Sequence, residues 1–171
     1  MQHYGLPTRL LDWSESPFIA AFFATHEYLR AEQVETKAAS IWVVDAIKLN
    51  VAQGFEPVAP PLNAKVVEPL VRPAIKGGEE TGKVTAAMAV ENDPRMQVQQ
   101  GAFTVHTTDR PLNEMVGCDE WLHEFIIPLD AAKRIAWQLD ILGVRVSQLF
   151  PDLHNLANEL RNDYLPPGKK T

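Results

Sequence analysis

Cysteine is nearly absent: Cys118 is the one thiol in 171 residues, which excludes an intrachain disulfide and a cysteine-based metal site. It reads as a small, partly buried hydrophobe rather than a nucleophile. Long apolar runs are missing as well. There is no stretch of about 18 apolar residues to cross a bilayer, and no basic segment leading into a short apolar one. The expectation is a cytoplasmic protein with no membrane partner. Positive charge is in deficit, with 16 Lys+Arg against 22 Asp+Glu and a net charge of −6. That balance argues against binding along a nucleic-acid backbone, while a local basic pocket can still take one small anion. Glycine-rich phosphate loops are lacking, because Lys76-Gly77-Gly78 has neither the strand-loop-helix context nor the Lys-Ser/Thr ending. No Gly-x-Ser-x-Gly elbow occurs. His26, His123 and His154 fall on separate elements without ligand spacing, so no metal site is expected.

What is present is enough apolar material for a sizeable core, 46% of all residues. A chain of this length suits one domain, since single cores serve chains up to roughly 250 residues. We assign residues 1–165 to that domain and 166–171, Pro-Pro-Gly-Lys-Lys-Thr, to a frayed tail. Thr8 to Trp13 suits a short strand, and Ser16-Pro17 suits a helix entry. The helix is expected to run to about residue 32 and, being apolar nearly all round for two turns, to be buried. Ala39 to Val44 reads as a central strand, with Asp45 capping a helix that Gly54 stops. A long proline-rich loop follows from residue 55 to 82, with strand-like pieces at Val66-Val67 and Leu70-Val71. Lys83 to Val90 fits a strand or a helix equally. Ala102 to His106 and Trp121 to Ile127 read as strands, the latter ended by Pro128. Leu129 opens a helix that stops at Gly143, and Ser147 opens a last helix through Leu160 that tolerates Pro151 near its start. Helices and strands mix without regular βαβ alternation. The fold class is therefore α+β, a single domain with a mixed or antiparallel sheet packed against the helix at about 17–32 and the C-terminal helices.

Chemistry concentrates at the beginning, where His3, Tyr4, Arg9, Asp12 and Trp13 crowd into a dozen residues that feed the most apolar helix. In an extended segment alternate residues share a face, so only one of Arg9 and Asp12 can face the core directly. Arg9 suits a bidentate grip on a phosphate or carboxylate, or else a buried ion pair. His3 and Tyr4 offer a proton donor and a stacking surface. Trp13 reads as core. A second polar set follows with Arg95, Gln99, Gln100 and His106, whose amides beside Gly101 suit a ligand or a solvated loop.

The run Gln2-His3-Tyr4-Gly5-Leu6-Pro7-Thr8-Arg9-Leu10-Leu11-Asp12-Trp13, with Ser16-Pro17 and Ala21-Phe22-Phe23-Ala24 behind it, resembles the central signature of the FRG domain family. Asn92, Arg95, Gln99 to Thr104 and Ile126-Ile127-Pro128 add to the likeness. The Phe-Arg-Gly motif that names the family is absent, so the chain reads as a domain lacking its upstream strand, with an open sheet edge that could pair with a second copy. The resemblance implies a domain of bacterial proteins whose activity is undefined. Its strand-then-helix motif is similar to the element beside the NAD site of ADP-ribosyltransferases, which makes NAD the candidate cofactor and an NAD-consuming transfer or hydrolysis the candidate reaction. Where that pattern wants a glutamate late in the sheet stand Gln99 and Gln100, with Glu91 and Glu124 the nearest carboxylates. The expected site is a pocket for a nucleotide-like anion where His3 to Asp12 meets Arg95 to His106. The alternative is a non-catalytic protein-interaction module or an inactive truncated domain.

Overall fold

The computed structural model describes residues 8–29, 38–70, 81–90, 94–151 and 153–164. Its elements in chain order are β1 (Leu10–Ser14), α1 (Pro17–Thr25), β2 (Ala39–Val44), α2 (Ala46–Ala52), β3 (Val84–Met88), α3 (Pro94–Val98), β4 (Gly101–His106), β5 (Leu122–Ile127), α4 (Leu129–Ile141), α5 (Val146–Leu149) and α6 (Leu153–Tyr164). The fold is α+β, with antiparallel sheets packed against helices. Instead of one sheet there are two: a three-stranded sheet in the order β1-β4-β3, and a two-stranded sheet of β2 and β5. Ala39–Val44 is thus no central strand, because β5 is its one partner among the described residues.

Register decides what faces what. His106 N–H donates to Arg9 O and Glu15 N–H to Gln100 O, which fixes the odd residues of β1 as those bonded to β4. The backbone groups of Leu10, Asp12 and Ser14 therefore turn away from the sheet. On β3 the same alternation turns Val84, Ala86 and Met88 outward, but there the edge is sealed. Val84 N–H donates to Gln53 Oε1 at 3.2 Å, and Met88 N–H donates to Pro60 O while Met88 O accepts from Leu62 N–H. At the centre, Asn50 Oδ1 accepts from Ala86 N–H at 2.7 Å and its Nδ2 donates to Ala86 O at 3.1 Å. Asn50 also accepts from Thr85 Oγ1 and donates to Val58 O, so this fully buried amide is satisfied on every side.

Apolar packing joins the layers. Leu49 of α2, Val84 and Ala86 of β3, and Trp121 and Leu122 at the start of β5 form the cluster between the two sheets, with Trp13 against it. The other face of the larger sheet packs Ala87 and Val105 on Val67 and Leu70. Ile19 and Phe22 of α1 meet Leu139 and Leu149.

Several local expectations are corrected. The helix from Pro17 ends at Thr25, whose hydroxyl bonds back to Ala21 O at 2.7 Å, and continues as a 3-10 turn over His26–Leu29. Residues 30–37 lie outside the described residues. Nor is the helix buried all round: Ile19, Phe22 and Thr25 face the core, while Phe18 and Phe23 are 59% and 43% exposed. Ser16 occupies the cap position without a side-chain bond, and Ser14 Oγ accepts from Ser16 N–H instead. Val66 and Val67 lie in turns and Leu70 in a helical turn, so no strand forms there; Val71 is outside the described residues. Lys83 to Val90 resolves as the strand β3. The last helix breaks at Phe150-Pro151 into α5 and α6, because proline cannot donate its amide to a continuous helix. Asp45 behaves as expected, accepting from Lys48 N–H at 3.0 Å. No helix of the described residues is long and apolar enough to cross a membrane.

Candidate functional site

A cleft of about 1180 Å³ opens between β1 and β2. Every residue from Thr8 to Ser14 lines it, as do Ser40, Ile41 and Trp42 in succession. Side chains alternate between the faces of a strand, so unbroken runs can line one cavity only where it abuts the strand edges. The outward backbone of β1 and the outward backbone of β2 thus face the same space. Ala20, Phe23 and Ala24 of α1, the segment Thr108–Asn113, and Gln99, His106, Leu122 and Phe150 complete the wall.

Arg9, Asp12, Gln99 and His106, expected to gather at one site, all line this cleft. Arg9 is half-buried. Asp12 presents its carboxyl to solvent, yet the surrounding wall desolvates it enough to raise its pKa above the ordinary 3.8. Gln99 commits an amide hydrogen to Leu149 O at 2.8 Å, and its backbone carbonyl accepts from Ser14 Oγ at 2.8 Å. It braces β1 against α5 as well as lining the cavity. Gln100 is not among the lining residues; it turns the chain in the left-handed region, at φ 47°, between α3 and β4. Arg95 belongs to α3, and its side chain lies outside the described residues, as do His3 and Tyr4 entirely.

His106 stands on β4 beside β1, and burial lowers its pKa below the ordinary 6.5. Its Nε2 lies 2.8 Å from Thr104 Oγ1, which in turn accepts from Trp13 Nε1 at 3.0 Å. Trp13 is half core and half wall: it packs on the inter-sheet cluster and also lines the cleft.

Three contributors were not singled out from the sequence. Arg110 adds a second guanidinium from an irregular polar stretch that carries no periodic signal. Trp42, 38% exposed, reads in sequence as one more residue of an apolar strand. Thr104 is fully buried and carries a hydroxyl between the apolar Phe103 and Val105 of β4, and that oddity was a signal available in the sequence.

A model of the FRG domain family matches residues 1–33. The FRG match thus takes in β1, α1 and the first residues of the signature, and it does not reach Asn92, Arg95, Gln99 to Thr104 or Ile126 to Pro128. Within the described part of the FRG segment, Thr8 to Ser14, Ala20, Phe23 and Ala24 line the cleft. No curated protein and no solved structure matches the chain.

Proposed function

We propose that the cleft binds a nucleotide-like anionic small molecule, with NAD-related compounds the leading class. The observation that carries this reading is that two arginines, Arg9 and Arg110, line one cavity together with the aromatic residues Trp13, Trp42, Phe23 and Phe150. Guanidinium forks suit phosphate oxygens, and accessible rings suit a base. Trp42 and Phe23 keep more than a third of their surface exposed in the free protein, which a stacked base would cover. At about 1180 Å³ the cleft has room for a ligand as large as a dinucleotide.

Calorimetric titration and thermal shift with NAD, ADP-ribose and nucleoside diphosphates test the reading. Binding of at least one compound is expected, with Arg9→Ala weakening it about tenfold to a hundredfold, since a hydrogen bond to a charged group contributes about 1.5–3 kcal/mol. No response to any of them would sink the nucleotide reading. A second reading, self-association through the β1 edge, is favoured by the outward backbone amide and carbonyl of Asp12. It predicts a concentration-dependent rise in sedimentation coefficient, and a constant monomer value would refute it.

A further inference from the structure

The hydrogen bonds around Thr104 have a direction that the residue types themselves impose. An indole N–H can only donate, so the 3.0 Å contact makes Thr104 Oγ1 the acceptor of the Trp13 hydrogen. Thr104 is fully buried, and its own hydroxyl hydrogen needs an acceptor. Among the described residues the group within reach is His106 Nε2, at 2.8 Å. Were Nε2 to carry a hydrogen, the hydroxyl would accept twice and its own hydrogen would be stranded without a partner in the core, a costly arrangement. Nε2 is therefore the acceptor, and the ring hydrogen sits on Nδ1. Among the described residues Nδ1 has no hydrogen-bond partner and is not one of the buried orphaned atoms, and His106 lines the cleft.

We infer that Trp13, Thr104 and His106 form a directional relay that holds the imidazole neutral with its hydrogen on Nδ1, and that this N–H reads an uncharged acceptor of the ligand, a ribose hydroxyl or a base carbonyl. The ligand half of this inference rests on the nucleotide reading; the relay half does not. Its logic is a division of labour within one cleft. The guanidinium groups of Arg9 and Arg110 take negative charge and are indifferent to which anion brings it. A fixed neutral donor adds discrimination, because an analogue lacking the matching acceptor leaves a desolvated N–H unpaired. Trp13 and Thr104 are positioning residues, acting through the orientation and tautomer of His106. Burial of the ring agrees with the neutral form.

The test begins with the ligand-free protein. Nitrogen-15 shifts of the His106 ring at neutral pH are expected to show Nδ1 protonated and Nε2 bare. Trp13→Phe releases the hydroxyl to donate or accept, and a mixture of tautomers is expected. Thr104→Val removes the relay and is expected to give the same loss of a single tautomer. Affinity for ADP-ribose, measured calorimetrically, should fall about tenfold in Thr104→Val. Trp13→Phe keeps the spectroscopic test available if the valine variant fails to fold. Protonated Nε2 in the wild type overturns the relay. A correct wild-type tautomer with unchanged ADP-ribose affinity in both variants overturns the donor role. Lack of binding of NAD, ADP-ribose and nucleoside diphosphates alike to wild-type protein that shows the Nδ1–H tautomer overturns the nucleotide reading and leaves the relay standing.

Discussion

Asp12 and His106 show how a wall residue trades stability for a site. Both are partly desolvated, and both shifts disfavour the charged form. For Asp12 the folded pKa lies above 3.8, so its contribution to stability is fully present below that value and is lost as pH rises through the raised folded value. At neutral pH the ionised carboxylate opposes folding. Asp12→Asn should therefore raise the thermal midpoint at pH 7. The gain should vanish below pH 3.8, where both side chains are neutral. Calorimetric midpoints of the two proteins across that range check it, and a gain persisting at the acid end would mean a cause other than charge. His106 runs the opposite way, its contribution complete above 6.5 and shrinking as pH falls below it. Arg9 and His106 were legible as site candidates because ionisable groups seldom crowd an apolar segment without use. Arg110 was not, since an exposed arginine in an irregular stretch looks like any solvated charge.

Among the elements, the two borders of the larger sheet have been treated differently. The β3 border is closed by side chains and loop backbone, and Asn50 is its central fastening. Asn50→Ala would leave the amide of Ala86 without a partner in a dry interior, and the carbonyl of Ala86 and the hydroxyl of Thr85 with only the long 3.5 Å contact between them. With about 1–3 kcal/mol for each stranded group, a loss near 3 kcal/mol or more is expected in urea unfolding. A loss under about 1 kcal/mol would mean that water replaces the amide. Nothing in the sequence pointed to Asn50, because an asparagine inside Ala46–Ala52 looks like a surface residue of a short helix. Strand identity was legible where β-branched and aromatic residues run together, as in Ala39–Val44. Its place was not, because a strand buried by helices and one lining a cleft share the same composition. Leu153, Leu156 and Leu160 mislead in the same way: their helical spacing reads as core, yet all three are exposed.

For the molecule as a whole, the sequence specified the class and left the division into two sheets to long-range packing. That division creates the cleft, and it depends on the Leu49, Trp121 and Leu122 cluster holding the sheets together while β1 and β2 stay apart. No local pattern announces such an arrangement, because it is a relation between strands far apart in the chain.

The same distance has a cost in time. Trp13 and the Thr104 it bonds are 91 positions apart, and β1 has no strand partner but β4 among the described residues. During synthesis β1 emerges before β4 and must wait for the intervening chain before its hydrogen bonds can close. Closing so long a loop is slow, and apolar segments stay open to wrong partners meanwhile. The segment that the FRG model matches is thus made before its partner strand and can complete its native pairing only after that strand has followed.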